Sequence, residues 1–321
     1  MRFVSPAAPA GTDTPALWIV PIVPVLALDL PAPPPPVHRP PLLAARHHAA
    51  SGCATVNVTE QGMLHAQSAV SPRSAVASVV AAALPGVTYE EQTVIAADGT
   101  ALFGALLRRP GADLTVVYFG GNEYTVERFG TGQARALLPS GANVLLVDHR
   151  GYGWSAGEPT VELLLSDALD VFDHAAGLPG VGAVVVHGQS LGSFLAAHVG
   201  ANRPAAGVVL ESSATTPQEW AEARVPRHYR PFVRVHVDGP LGAVDNRAAV
   251  GRITEPLLLL VGAEDATTPA VLSRRLLEAS PLPDGEKMLV VVEGAGHNDV
   301  TGQPAFADAY RAFLDRVRGA R

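Results

Sequence analysis

From Val87 onward the sequence predicts an α/β fold, and three observations carry that prediction. Short β-branched runs alternate with longer stretches of helical periodicity. The runs are apolar throughout instead of alternating apolar with polar, which marks strands buried on both faces of a mostly parallel sheet. The first two runs follow each other with no helix between them.

The first two runs, 93–96 (T-V-I-A) and 101–107 (A-L-F-G-A-L-L), are separated only by a tight Asp98-Gly99 turn, so they predict an antiparallel hairpin. Six further runs follow at 114–119, 143–148, 182–187, 206–210, 256–261 and 287–292. Helical patterns lie between or after them at 123–138, 160–176, 190–200, 269–280 and 304–318. The expected architecture is a hairpin leading into a parallel β/α series.

The first 86 residues read differently. Residues 1–41 hold 12 prolines, which excludes a regular helix or central strand. The apolar stretch 16–30 is cut by Pro21, Pro24 and Asp29, and reads either as a signal-peptide core or as an unstructured leader. The expected division is a leader over 1–52, an Ala/Ser/Val-rich tether over 53–86 with one helix near 73–84, and a folded domain over 87–321. At 48% hydrophobic and 17% charged, the chain is not disordered throughout. Its net charge of −7 argues against a nucleic-acid partner, because phosphates need a basic face. A single cysteine, Cys53, excludes an internal disulfide and a multi-thiolate metal site.

The pattern G-x-S-x-G occurs twice, around Ser155 and around Ser190. A nucleophile elbow needs a strand just before the serine and a helix just after it. Ser190 has both, with Val184-Val185-Val186 leading in and a helical pattern leading out; Ser155 has neither and reads as a loop residue. A serine hydroxyl needs a base to take its proton, and a His held by a carboxylate fills that role. Asp265 follows the run 256–261 and His297 follows the run 287–292, in the chain order Ser, acid, His expected of such a sheet. Glu264 is a competing acid and Asp299 a weaker one. One oxyanion donor is expected from the backbone N–H of Leu191. The second is expected from the Gly120-Gly121-Asn122-Glu123 loop, with Asn122 N–H favoured and Glu123 N–H as the fallback.

With these residues on the page, 87–321 resembles the serine-nucleophile α/β-hydrolase superfamily, in its serine aminopeptidase-like and depalmitoylase-like branch. The resemblance rests on Gly120-Gly121-Asn122, the stretch 148–159 (D-H-R-G-Y-G-W-S-A-G-E-P), 188–192, 262–265 and 294–297. It implies hydrolysis of an ester, thioester or amide through an acyl-enzyme, on a small-molecule or acyl substrate, with no metal and no organic cofactor. Gly120 departs from the family, which usually carries His there. Within this fold, an aminopeptidase or amidase is the alternative to an esterase or thioesterase, and a catalytically idle binding module is the alternative to an enzyme.

About 212–252, between the sixth and seventh runs, is expected to form a lid. It carries Arg224, Arg227, Arg230 and Arg234 among Trp220, Tyr229 and Phe232, and reads either as a cover facing acidic groups of substrate or lipid or as a solvated helix. Cys53 in Ala50-Ser51-Gly52-Cys53-Ala54 resembles the lipobox of bacterial lipoproteins, although Ala50 replaces the usual Leu and Arg46-His47-His48 interrupts the preceding stretch. It implies membrane association through a lipidated Cys53 at the cell envelope, with a soluble cytoplasmic enzyme or secretion without a lipid as the alternatives.

Overall fold

The structure, a computed structural model, describes residues 54–320. The leader expected over 1–52 and the lipid-attachment expectation at Cys53 lie outside the described residues.

The chain begins with β1 (Ala54–Val58), α1 (Glu60–Met63) and α2 (Arg73–Ala83), then enters the hairpin β2 (Thr88–Ile95) and β3 (Ala101–Arg108). The β/α series follows as β4 (Leu114–Phe119), α3 (Val126–Leu137), β5 (Asn143–Val147), α4 (Val161–Gly177), β6 (Ala183–Gln189), α5 (Leu191–Asn202) and β7 (Gly207–Glu211). A cap comprises α6 (Pro217–Arg224), β8 (Val233–Val237), α7 (Gly239–Gly242) and α8 (Asn246–Val250). The series closes with β9 (Leu257–Gly262), α9 (Ala270–Ala279), β10 (Lys287–Val292) and α10 (Pro304–Gly319).

Eight strands form one sheet in the order β10-β9-β7-β6-β4-β5-β3-β2. The β2–β3 and β3–β5 pairs are antiparallel and the remaining pairs parallel, as the run pattern predicts. Every residue of β4, β5, β7 and β9 is buried, which explains their unbroken apolar character. One core layer joins Val186, Leu195 and Leu259 to α4, α5 and α8; the other joins Val185, Leu146 and Phe313 to α2, α3 and α10. Because β4 lies between β5 and β6, the chain leaves β4 in one direction and later returns past it in the other. Such a reversal opens a crevice at the carboxyl ends of the strands, where the loops after β4 and β6 diverge.

The segment expected to be a tether instead packs onto the domain over its described length. Its β1 pairs in parallel with β8 of the cap, Ala54 opposite Val233 through Val58 opposite Val237, in a separate two-stranded ribbon. Glu60 accepts from Val161 N at the start of α4 (2.9 Å). Glu127 of α3 accepts from the N–H groups of Val70 and Ser71, and the Trp154 indole donates to Ser71 O. The Arg73 guanidinium sits 4.7 Å from the Phe103 ring centre. These contacts join groups far apart in sequence, so composition could not reveal them. The cap is likewise not a simple lid, since it contributes β8 to that ribbon.

Candidate active site

Ser190 stands between β6 and α5 with φ 52° and ψ −114°, a left-handed conformation that costs a non-glycine residue about 1–3 kcal/mol. Its surroundings hold it there: Ser190 N donates to Glu211 O (2.9 Å) and Ser193 Oγ donates to Ser190 O (2.6 Å). The flanking glycines have a steric reason. A Cβ on Gly188 would collide with the backbone of Gly192, and one on Gly192 with the carbonyl of Phe119. The turn is closed so tightly that the serine alone projects from it.

His297, on the loop after β10, meets that projection. Its Nε2 lies 3.0 Å from Ser190 Oγ, and its Nδ1 lies 2.8 Å from Asp265 Oδ2 on the loop after β9. A carboxylate can only accept, so Asp265 fixes the proton on Nδ1 and leaves Nε2 to accept from the serine. The Asp265 side chain is fully buried and also accepts from Thr267 N, Thr268 N and Thr268 Oγ1. Burial pushes its carboxyl up, but the bond and charge of His297 and the Thr268 bonds outweigh that and hold it below the usual carboxylate range. The His297 carbonyl is held by Gln189 Nε2 and Ser212 Oγ, both at 3.3 Å. Glu264, the competing acid, is exposed, while Asp299 accepts from Gly296 N and shapes the His297 loop.

The loop after β4 passes beside the serine. A Cβ on Gly121 would lie 3.3 Å from Ser190 Cβ and would displace the Gln189 amide, so glycine lets the loop pass close to the serine. Asn122 follows it, and its side chain has three partners: Nδ2 donates to Met63 O (2.6 Å), and Oδ1 accepts from His65 N (3.0 Å) and Tyr152 Oη (2.9 Å). Glu123 adopts φ 66° at the turn into α3. The departure at Gly120 has a local cause: the Tyr124 ring occupies the space a side chain there would need. Gly120 O accepts from buried His149 Nε2 (2.8 Å), and burial lowers the His149 pKa, keeping its ring neutral. On the other side, Leu191 opens α5, so its N–H has no acceptor within the helix. A small cavity of about 20 Å³ beside Leu191 is lined by Met63, Leu164, Phe194, Leu241 and Val244 among other apolar residues.

Ser155, the other G-x-S-x-G serine, is a structural clasp. Its Oγ donates to Asp148 O (2.7 Å) and accepts from Phe103 N (2.8 Å), joining the end of β5 to β3. Among the described residues, no cluster of three or more His, Cys, Asp or Glu is arranged to hold a metal ion.

Comparison with solved structures decides the fold. The Pyrococcus furiosus esterase Pf2001 superposes with a TM-score of 0.61 at 20% identity, over 79% of this chain and 98% of that one. Est1E from Butyrivibrio proteoclasticus, solved with ferulic acid bound, gives 0.56 at 19% identity, over 72% and 99%. The chain has the α/β-hydrolase fold. Residues 111–239 of this chain match the family model of the serine aminopeptidases, S33. Among curated proteins, an uncharacterized protein of Mycobacterium tuberculosis, Rv2307c, is 34% identical over 190 residues, 58% of this chain and 62% of its own length. The human protein ABHD12B is 27% identical over 226 residues, 65% of this chain and 62% of its own. The chain thus spans about 62% of the length of these curated relatives.

Sequence reasoning missed the Asn122 side chain, Tyr152, Thr268 and the segment from Glu60 to Ser71. Thr268 stands three residues after Asp265, a spacing that favours a side-chain and N–H bond back to the carboxylate, and was open to notice. The Glu60–Ser71 contacts had no comparable signal.

Proposed function

We propose that this chain is a serine hydrolase that cleaves carboxylic esters or thioesters through an acyl-enzyme. The observation that carries the reading is the continuous relay from Ser190 Oγ through His297 to buried Asp265, at 3.0 and 2.8 Å. Ser190 Oγ attacks the substrate carbonyl while His297 Nε2 takes its proton, and Asp265 stabilises the imidazolium that forms. The oxyanion of the tetrahedral intermediate lies against the N–H groups of Leu191 and Asn122. His297 then returns the proton to the departing alcohol or thiol, and a water molecule activated by the same imidazole releases the acid. The apolar lining beside Leu191 favours an uncharged acyl group. One observation favours a second reading, an aminopeptidase or amidase: the family model matched by 111–239 is that of the S33 serine aminopeptidases.

The test is labelling by a fluorophosphonate probe, with turnover of p-nitrophenyl esters beside aminoacyl p-nitroanilides. Ser190→Ala should abolish labelling and lower kcat by about 10⁴–10⁶. Ser155→Ala should keep both, at reduced stability. Absence of labelling in the wild type would leave an idle binding fold, and loss of turnover in Ser155→Ala alone would overturn the assignment. Faster cleavage of the anilides would select the amidase reading.

A further inference from the structure

The cap carries a charge distribution unlike the rest of the molecule. From Arg224 to Val237 there are four arginines and two histidines and no acid, in a chain whose net charge is −7. Arg224, Arg227, Arg230, Arg234, His228 and His236 are all exposed. Among the described residues none of the four arginines forms an ion pair. Arg224 lies over the Trp220 ring at 5.0 Å, and Arg230 Nε donates to Val225 O (3.1 Å). By contrast Arg108, Arg203, Arg316 and Arg318 each pair with an acid.

At the centre of this stretch a single 3₁₀ turn, Arg230–Phe232, presents Phe232 at 63% exposure and Tyr229 beside it at 37%. Phe232 precedes Val233, which pairs with Ala54, so the turn forms one end of the β1–β8 ribbon. Behind it lies a cleft of about 680 Å³ whose walls include Arg227, Arg230, Arg234, Val233 and Val235. Two acids, Glu219 and Glu222, also line the cleft; Glu219 is neutralised by Arg247 and Arg275, and Glu222 accepts from Gln218.

We propose that the 224–237 tip docks on an anionic lipid surface, with its arginines against headgroup phosphates and Phe232 and Tyr229 entering the interfacial layer. Unpaired arginines match the charge of such a surface, and their aliphatic stems lie along its apolar boundary. The exposed ring selects this occupant over a dissolved polyanion, which offers nothing apolar to receive it. This inference stands independently of the reaction proposed above.

The test uses the full chain carrying Cys53→Ala, so that no covalent lipid contributes. Co-sedimentation is measured with vesicles of phosphatidylcholine containing about 30% phosphatidylglycerol, and with phosphatidylcholine alone. Binding to the anionic vesicles that weakens with added salt is expected. Combining Arg227→Gln, Arg230→Gln and Arg234→Gln should weaken it about 100-fold, at roughly fivefold per arginine near the surface. Phe232→Ser should weaken it several-fold at constant charge, while replacing the three arginines by lysine should largely preserve it. These side chains are exposed, so melting temperatures should not change. Failure to bind, equal binding to both vesicles, or full affinity in the triple Gln variant would overturn the proposal. So would unaltered affinity in Phe232→Ser, which would assign the arginines to a soluble polyanion.

Discussion

Asn122 joins three segments through one amide, and removing it tests whether the loop after β4 is held for catalysis. On the proposed mechanism its backbone N–H faces the oxyanion, and truncating the side chain leaves that N–H in place but frees it to move. Asn122→Ala should therefore lower kcat by about 10-fold or more, less than the 10²–10³ of deleting a donor outright, with KM little changed. Asn122→Asp keeps the acceptor for His65 N and Tyr152 Oη and should recover part of the loss. An unchanged kcat in Asn122→Ala would show that the side chain serves stability alone. Ser190, His297 and an acid at 264 or 265 were legible in the sequence because a strand or helix boundary fixes each place. The choice between Asp265 and Glu264 was not, since adjacent acids differ only in which one the β9 loop turns inward. The partners of Asn122 were not legible either, because Met63 and His65 approach from 59 and 57 residues away.

At the scale of elements, Arg150 ties the β2–β3 hairpin to α4. Its guanidinium makes paired bonds to Asp167 (2.8 and 2.6 Å), and to Asp98 in the hairpin turn (2.7 and 3.1 Å). Asp167 is buried, so removing its cation leaves an unpaired charge in a low-dielectric site. Arg150→Ala should cost about 3–5 kcal/mol, read as a lower urea midpoint. Arg150→Lys should recover only a fraction, because an ammonium cannot reproduce the planar fork. A loss below about 1 kcal/mol would show that the pair is effectively solvated. Six strands of the sheet, β3 to β7 and β9, were legible because burial on both faces leaves an apolar run; the edge strands β2 and β10 are partly exposed, and the run at 93–96 marked only the end of β2. The ribbon strands β1 and β8 were not: each is five residues long with one partly exposed face, and A-T-V-N-V and V-R-V-H-V alternate too briefly to stand out from a loop. Their alternation was the available signal, and it gains meaning only when the two are paired.

For the whole molecule, stability against pH divides between two carboxylates of opposite behaviour. Burial raises the Asp148 carboxyl to about 7, against the N–H bonds from Trp154 and Val126 that favour its ionised form. Folding therefore takes up a proton there between pH 3.8 and about 7, so that contribution is complete below 3.8 and is lost as pH rises through 7. Asp98 behaves oppositely. The Arg150 bonds hold its carboxyl well below the usual range, so its contribution is present above 3.8 and lost as pH falls. Across pH 4 to 7, wild type should lose stability relative to Asp148→Asn, measured by urea unfolding at each pH; a constant difference would refute the buried proton. The parallel pairing of β1 with β8 has a further consequence, in time. Among the described residues each has only the other as a neighbouring strand, and most of the sheet is synthesised between them. Closing so long a loop is slow, and a two-stranded ribbon is marginal by itself, so the pair should form after the sheet and open before it. Amide hydrogens at Val56 and Val58 should then exchange well ahead of those at Val185 and Val209. The earliest described strand to leave the ribosome is the last to find its partner.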